Sequence, residues 1–293
     1  MSRTADIACA KMDGSFDLLG EPTPESPVVV SVPHAGRDYP LALRAALRVP
    51  EKALVVLEDR FVDAVALVAH RRETMLVQRR ARAWIDLNRA EDERDPQVDE
   101  GARSTGQPIR SAKIRSGLGL VPRRAGAAGD LWRRRFAAVD VEARIASDHR
   151  PYHRAVDRAL AAARARFGVA VLLDIHSMPP LATGVRIVVG DRFGRSAATR
   201  FVARVEGVAG TAGLRTALNT PYAGGHILDR HGAPARDIHA IQLEIDRTLY
   251  LDAALDQPGA GLPATAALVR AIIDSLADEA LGGRSMPFAI AAE

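Results

Sequence analysis

The sequence predicts an α/β fold in which helices cover both faces of a sheet. Short runs of apolar and β-branched residues recur along the 293-residue chain, and such runs are typical of buried strands. Longer segments between them carry apolar residues at helical spacing. Strands that alternate with helices favour a sheet enclosed between two helical layers.

Each predicted strand is a short run of mainly valine, leucine and isoleucine with at most one or two polar residues. In chain order the strands are residues 28–32 (VVVSV), 74–77 (TMLV), 84–87 (WIDL), 169–173 (VAVLL), 185–189 (VRIVV) and 238–245 (IHAIQLEI). The predicted helices are residues 53–71, 140–166, 195–208 and 262–281. Pro151 lacks a backbone donor, so it must interrupt or restart the helix over 140–166.

No repeat or linker divides the chain, which predicts a single domain over residues 1–293. Residues 91–127 depart from the pattern because they are polar, rich in glycine and arginine, and weakly periodic. A loop of this length inside a compact domain is often functional. We therefore expect a loop or lid beside a binding site, with disorder as the alternative.

The charge pattern argues against nucleic acid as a partner, although the formal net charge is +4. The arginines are dispersed among acids and alanines, and aromatic residues make up only 4% of the chain, which leaves little to stack on bases. A solvated, arginine-rich surface explains this pattern, and a basic funnel for anionic substrates is the functional alternative.

The single cysteine, Cys9, excludes an intramolecular disulfide. The N-terminal residues lack the apolar segment of a signal peptide, and no run approaches the roughly 18 apolar residues of a membrane span. These features predict a cytoplasmic protein that does not act at a membrane.

Two histidines follow predicted strands directly. His34 comes after residues 28–32, and His176 follows residues 169–173 by way of Asp174, with which it shares one face of an extended chain. Ligands of α/β folds bind at strand ends, and neutral imidazole is a zinc ligand. A lone histidine is usually structural, but the pair predicts a metal site in which Asp174 orients His176.

Carboxylates that could complete such a site occur in two places. Glu58 and Asp59 stand at the start of a predicted helix, where acidic residues also serve as caps. Glu244 lies within an otherwise apolar strand, and a buried carboxylate with a raised pKa suits a general base. The structural alternative for Glu244 is an ion pair with Arg247.

Asn88 and Arg89 end the predicted strand 84–87 and could bind a carboxylate, since arginine binds that group in a bidentate manner. Their alternative role is a structural salt bridge to a nearby acid. The chain has no zinc-binding His-Glu-x-x-His, no nucleophile elbow and no phosphate loop. Cys9, in a polar stretch, is a poor candidate nucleophile.

Taken together, these segments resemble the N-formylglutamate amidohydrolase (N-formylglutamate deformylase) family, which is similar in turn to zinc carboxypeptidases and aspartoacylase. The matching segments, over residues of about 30 to 250, are Ser-Val-Pro-His-Ala-Gly at 31–36 with Tyr39-Pro40, Asp-Arg-Phe-Val-Asp at 59–63, Asp-Leu-Asn-Arg at 86–89, Arg-Pro-Tyr-His at 150–153, Asp-Ile-His-Ser-Met-Pro at 174–179, Pro-Tyr-Ala-Gly-Gly at 221–225 and Gln-Leu-Glu-Ile-Asp-Arg at 242–247 with Leu249-Tyr250.

The resemblance implies a mixed, mostly parallel, carboxypeptidase-like sheet (of the phosphorylase/hydrolase-like type) and one catalytic zinc ion, although another divalent metal could take its place. It implies metal ligation by His34, Asp59 and His176, with Glu58 as the alternative to Asp59 and Glu244 as the base. The carboxypeptidase pattern places its carboxylate ligand three residues after the first histidine, where this chain has Arg37.

The implied reaction is hydrolysis of N-formyl-L-glutamate to formate and L-glutamate, as in histidine degradation. Asn88 and Arg89 would bind one carboxylate of this small anionic N-acyl amino acid, and Arg115, Arg123 or Arg124 a second. The alternatives are a deacylase or peptidase for another N-acyl substrate, and a non-catalytic carboxylate-binding protein.

Overall fold

The computed structural model describes residues 14–102 and 112–282, and Cys9 lies outside these ranges. Within them a single sheet has the order β1-β3-β2-β4-β7-β5-β6. Its strands are β1 (Phe16–Leu19), β2 (Val28–Val32), β3 (Thr74–Gln78), β4 (Ala170–Met178), β5 (Ile187–Gly190), β6 (Thr216–Leu218) and β7 (Ile238–Asp246). The four central strands are parallel, whereas β1 and β5 run antiparallel to β3 and β7. The predicted mixed, mostly parallel sheet is confirmed.

Helices cover both faces of the sheet. They are α1 (Leu41–Ala46), α2 (Val62–Ala69), α3 (Ala112–Arg115), α4 (Ala138–Arg144), α5 (Arg150–Phe167), α6 (Thr199–Thr211), α7 (His226–His231) and α8 (Leu262–Gly282). Helices α2, α6 and α8 contribute to the core on one face, and α1, α4, α5 and α7 contribute to the core on the other. None of the described helices combines the length and apolar character needed to span a bilayer.

The predicted helix over residues 53–71 is broken in the middle. A 3-10 helix spans Glu51–Leu57, Phe61 adopts a left-handed φ of 55°, and α2 begins only at Val62. In the break, the backbone amide of Asp59 donates to the carbonyl oxygen of His34 at 3.0 Å. Tertiary pairing with the chain after β2 therefore replaces helix continuation and brings Asp59 beside His34.

The long predicted helix over residues 140–166 is present, but its regular geometry is interrupted ahead of Pro151. A π-helical turn, Ile145–His149, separates α4 from α5, and Pro151 occupies the first turn of α5. Proline is tolerated in a first turn because its missing donor has little or no intrahelical role there. The interruption thus appears as a widened turn rather than as a gap.

The prediction of a strand over residues 84–87 is wrong. Asp86 instead uses its side chain locally, because its Oδ1 accepts from the backbone amide of Asn88 at 2.8 Å. Its own amide donates to the carbonyl oxygen of Leu120. These local hydrogen bonds take the place of the backbone pairing that a strand would need. Ile85 and Leu87 are buried nonetheless, so their apolar character reflects core packing and not sheet pairing.

The described part of residues 91–127 is anchored by side chains in the interior. It contains α3 and a 3-10 turn, Gly126–Ala128, while residues 103–111 lie outside the described ranges. Val98, Ile114 and Leu120 are buried. The lid function of this segment remains a prediction.

Candidate metal centre and active site

One face of the sheet carries polar side chains at the carboxyl ends of its central strands. Because side chains alternate along a strand, Leu173 and Ile175 join one core while Asp174 and His176 point to the opposite face. Strand β7 runs in register with β4, so that Gln242 pairs with Asp174 and Glu244 pairs with His176. The register therefore places an imidazole beside a carboxylate on adjacent strands.

Two imidazoles and a carboxylate converge at this edge. A nitrogen of His34, a nitrogen of His176 and a carboxylate oxygen of Asp59 all lie within 4.8 Å of one another, and all three residues are buried. His176 Nδ1 is 3.0 Å from Asp59 Oδ2, and His34 Nδ1 is 3.6 Å from the same oxygen. The structure thus brings together the three residues predicted to bind metal.

The donor set fits a divalent cation. His34 Nδ1 is buried and has no hydrogen-bond partner in the part of the chain that the structure describes, which leaves its lone pair without compensation there. Both nitrogens of His176 lie within hydrogen-bond distance of carboxylates, so both carry protons and the ring is cationic. A metal ion would replace the proton on His176 Nδ1 and would satisfy the free nitrogen of His34.

Second carboxylates fix the orientation of both imidazoles. His34 Nε2 is 2.7 Å from Asp86 Oδ1, and His176 Nε2 is 2.8 Å from Asp174 Oδ2. Such partners hold ligating histidines in one tautomer and raise their basicity. Ser31 Oγ in turn donates to Asp174 at 2.7 Å.

Electrostatics keep the carboxylates of the site ionised. Burial opposes ionisation of Asp59, but the hydrogen bond and charge of His176 keep its pKa below the usual range. Burial likewise opposes ionisation of Asp86, and the charges of Arg82 and Arg89 together with the hydrogen bond from His34 Nε2 keep its pKa well below that range. Burial by itself would lower the pKa of His176, but Asp174 and Asp59 outweigh it and raise this pKa.

Glu244 differs from the other carboxylates of the site. It is buried, and burial raises its pKa to about 7. Gln242 donates from Nε2 to Glu244 Oε1 at 2.8 Å, while Oε2 has no hydrogen-bond partner among the described residues. One oxygen is therefore held in place, and the other is available to exchange a proton near neutral pH.

Asn88 and Arg89 occupy a buried position beside the metal-binding residues. Asn88 Oδ1 accepts from the backbone amide of Ile227 at 2.9 Å, and Asn88 Nδ2 is 3.3 Å from Gln242 Oε1. Arg89 donates from Nε to the carbonyl oxygen of Leu118 at 2.8 Å. Backbone groups thus fix both side chains, and the structural alternative, a salt bridge of Arg89 to Glu91, Asp92 or Glu93, does not form among the described residues.

The comparisons with known proteins agree with this geometry. A family model described as N-formylglutamate amidohydrolase matches residues 26–251. The chain belongs to the N-formylglutamate amidohydrolase family. The matched range contains His34, Asp59, His176 and Glu244, so the whole cluster lies within the family's common region.

Other members of the family extend the likeness over most of the chain. An N-formylglutamate deformylase of Pseudomonas aeruginosa is 29% identical over 85% of this chain and 92% of its own. The crystal structure of an N-formylglutamate amidohydrolase from Ralstonia eutropha superposes with a TM-score of 0.84 at 30% identity, covering 92% of this chain and 99% of that one.

A gene product of Agrobacterium tumefaciens shares the fold, with a TM-score of 0.66 at 18% identity over 92% of this chain and 96% of that one. The fold that this chain shares with the Ralstonia eutropha amidohydrolase therefore also occurs in a protein of much lower sequence identity.

The structure distinguishes between Glu58 and Asp59, the two carboxylates that the sequence offers as the third metal ligand. Glu58 is turned toward Tyr39, whose hydroxyl donates to it, and toward Arg60, whose Nη1 donates to Glu58 Oε2 at 2.8 Å. It is not part of the group that includes His34 and His176. The geometry favours Asp59 as the third ligand.

Of the arginines predicted to bind a second carboxylate, Arg115 and Arg124 lie on the surface and Arg123 is partly buried. Arg115 is exposed at the end of α3. Arg124 is also exposed, and its Nε is 3.7 Å from Asp130. Arg123 forms a salt bridge with Asp95 at 3.0 Å. These contacts do not distinguish any of the three as a substrate ligand.

Several residues of the site were not singled out from the sequence. Asp86 had been noted only as a neighbour of Asn88 and Arg89, and Arg82 donates from Nε to Asp86 Oδ2 at 2.9 Å. Tyr222 is half-buried, and burial together with the charge of Glu244 raises the pKa of its phenol. The period-two spacing of Gln242 and Glu244 is a sequence signal that could have identified Gln242.

A group of histidines supports the Asn88–Arg89 segment from behind. His149 donates from Nε2 to the carbonyl oxygen of Arg89 at 2.8 Å, and His153 donates to that of Leu87 at 3.0 Å. The ring of His153 also stacks on that of His231. Burial lowers the pKa of both His149 and His153, which favours the neutral rings that these contacts require.

Proposed function

We propose that the protein is a zinc-dependent amidohydrolase that cleaves N-formyl-L-glutamate to formate and L-glutamate. The observation that carries this proposal is the convergence of His34, Asp59 and His176 next to the buried carboxylate of Glu244. Family membership supports the substrate, since two curated relatives are named N-formylglutamate deformylases.

His34 Nδ1, His176 Nδ1 and a carboxylate oxygen of Asp59 would hold the metal. Two imidazoles and one carboxylate are a common protein ligand set of catalytic zinc. When bound, the ion would supply a Lewis acid that polarises the formyl carbonyl and makes water more acidic. Asp86 and Asp174 keep the two rings oriented toward the ion, because each accepts a hydrogen bond from the opposite ring nitrogen.

Glu244 would serve as the base and then as the acid. Its free oxygen, Oε2, takes a proton from water as the water oxygen forms a bond with the formyl carbon. The same proton passes to the amide nitrogen as the carbon–nitrogen bond breaks, which releases formate and the free amino group. A pKa of about 7 lets Glu244 accept and return a proton at neutral pH.

Asn88 and Arg89 would orient the substrate by binding its α-carboxylate. Both side chains are already fixed by backbone contacts, so little conformational entropy is lost when the substrate binds. Correct placement of the amide beside Glu244 is itself a large part of the rate enhancement.

The decisive experiment measures formate release from N-formyl-L-glutamate by the purified protein, before and after metal removal with a chelator and after zinc is added back. We expect activity that is lost on chelation and restored by zinc. Turnover of N-acetylglutamate or a peptide in preference to the formyl substrate would reject the proposed substrate. Full activity of a protein shown to be metal-free would reject the metal dependence.

A further inference from the structure

Three cationic side chains lie at one end of the site. Arg82 binds Asp86 through Nε and Nη2, each at 2.9 Å from Oδ2, and Arg89 Nε is 3.9 Å from the same oxygen. The ammonium of Lys113 interacts electrostatically with Arg82, Arg89 and Asp86, and also with Glu244. Lys113 therefore shares the surroundings of the residues that would hold and cleave the substrate.

Asp86 is not free to form an ion pair with Lys113, because both of its oxygens already have partners. Oδ1 lies 2.7 Å from His34 Nε2 and accepts from the amide of Asn88, while Oδ2 accepts from Arg82. The ammonium of Lys113 thus suits a ligand that brings negative charge with it.

The position of Lys113 is tied to that of Arg89 through a single residue. The amide of Leu118 donates to the carbonyl oxygen of Lys113 at 2.8 Å, and the carbonyl oxygen of Leu118 accepts from Arg89 Nε at 2.8 Å. The neighbour of Lys113 in α3, Ile114, is buried and anchors the helix. The backbone of Lys113 is consequently held close to the segment that binds the Arg89 guanidinium.

Lys113 lacks a direct ion-pair partner. Within residues 14–102 and 112–282, no carboxylate lies within ion-pair distance of its ammonium, and the residue is partly exposed. Arg123 and Arg124 of the same segment both have acidic neighbours, Asp95 and Asp130. A partly exposed ammonium without a direct ion pair is available to a substrate.

We propose that Lys113 binds the side-chain carboxylate of the N-formyl amino acid, so that the enzyme selects acidic substrates. This inference rests on the proposed function and extends it from the reaction to the substrate side chain. It also revises the earlier expectation that Arg115, Arg123 or Arg124 has this role.

The electrostatic environment of Lys113 supports the assignment. Burial and repulsion by Arg89 and Arg82 lower the pKa of the ammonium in the absence of substrate. A side-chain carboxylate bound to Lys113 would offset this repulsion and favour the charged lysine. The same repulsion would disfavour a substrate with a cationic side chain.

The test compares N-formyl-L-glutamate with N-formyl-L-glutamine, which has nearly the same shape but a neutral side chain. We expect the wild type to prefer the glutamate substrate. In Lys113→Met, KM for that substrate should rise about 10-fold or more with little change in kcat, since a charge-assisted contact is lost. The kinetics with the glutamine substrate should change less than 3-fold.

Lys52→Met is the matched control, because Lys52 is exposed in the 3-10 helix Glu51–Leu57 and its loss changes the net charge equally. We expect it to leave both substrates unaffected. Lys113→Arg should recover part of the preference for glutamate. Calorimetric titration of L-glutamate and L-glutamine into wild type and Lys113→Met provides a readout that does not depend on turnover.

The unfavourable results distinguish failure of the Lys113 assignment from failure of the proposed deformylase reaction. A wild type that hydrolyses both formyl substrates equally well would overturn the role of Lys113 and leave the deformylase reaction intact. Equal losses on both substrates in Lys113→Met, or loss of the preference in Arg115→Met or Arg124→Met instead, would also overturn it. A wild type that releases formate from neither substrate would reject the proposed function and this inference with it.

Discussion

At the scale of single residues, the imidazole of His34 has two unlike nitrogens. Nε2 is bound to Asp86 at 2.7 Å, whereas Nδ1 is buried and has no partner among residues 14–102 and 112–282. A buried polar atom in this condition costs free energy on the order of 1–3 kcal/mol, so its presence calls for a compensating function. Metal binding would provide that compensation.

If His34 and His176 are metal ligands, replacing either one should change the metal content of the protein. His34→Ala and His176→Ala should each lose the stoichiometric metal ion, because a three-ligand site that loses one ligand binds much more weakly. His70→Ala is the control, since His70 donates to a backbone carbonyl at the end of α2. Elemental analysis of the purified variants provides the measurement, and retention of one metal per chain in His176→Ala would refute the ligand set.

Glu244 predicts both a rate and a pH profile. Glu244→Gln should retain its metal but lose a factor of about 100 or more in kcat, because the amide cannot accept the proton of water. In the wild type, burial raises the pKa of Glu244 to about 7, and a nearby cation would lower it.

The direction of the pH effect follows from the role of a base. Glu244 must be ionised to act, so kcat/KM should increase with pH and level off above a midpoint at or below about 7. A profile recorded between pH 4.5 and 9 would show this limb. A wild-type profile that is flat below pH 7 down to 4.5 would contradict the assignment of Glu244 as the base.

At the scale of elements, the loop before α7 shapes the position of Asn88. A Cβ at Gly225 would lie 2.5 Å from Asn88 Oδ1, a distance that forces the amide side chain to move. The backbone φ of Gly225 is −124°, so alanine is sterically excluded by its neighbour and not by its own conformation.

Gly225→Ala should therefore impair substrate binding without unfolding the protein. We expect kcat/KM to fall at least 10-fold, with a circular dichroism spectrum like that of the wild type. The matched control is Gly207→Ala in α6, where an added Cβ meets nothing within 4 Å and alanine should stabilise the helix by up to about 1 kcal/mol. Equal activity of the two variants would show that Asn88 needs no such fixed position.

The elements also show what the sequence could and could not predict. Strands β2, β4 and β7 were predictable because they are buried on both faces and rich in valine, leucine and isoleucine. Strands β1 and β6 have only four and three residues and were missed. Residues 84–87 have the composition of a strand, but the side chain of Asp86 closes a turn there.

The residues of the site likewise differ in whether the sequence could predict them. His34, His176 and Glu244 stand at strand ends or within strands, so the regular geometry of a parallel sheet makes their proximity foreseeable. Arg82 and Lys113 come from irregular or very short segments, whose paths depend on tertiary contacts such as that of Arg89 with Leu118. No periodic pattern encodes such contacts.

At the scale of the whole molecule, the metal site links separate parts of the fold. His34 follows β2, Asp59 precedes α2 and His176 lies in β4, so a bound ion would connect the centre of the sheet to one helical layer. An ion that binds only the folded state stabilises it by about 2.7 kcal/mol at 100 times its Kd.

We therefore expect zinc to raise the thermal midpoint of the metal-free protein by about 5 °C at that concentration. Differential scanning calorimetry with and without the ion would measure the shift. His176→Ala should show no comparable response, and an equal shift in that variant would place zinc binding elsewhere on the chain.

The separation of the ligands along the chain has a consequence for how the protein acquires its metal. Asp59 and His176 are 117 residues apart, and β2 pairs with β4 over a comparable distance. Closing such a loop is slow, so the unfolded chain rarely brings Asp59 and His176 together as a pair of ligands. Zinc should leave the refolding rate unchanged and slow unfolding instead, which stopped-flow measurements can resolve. Loading would then follow folding, and a newly made chain would compete for zinc only after its sheet is complete.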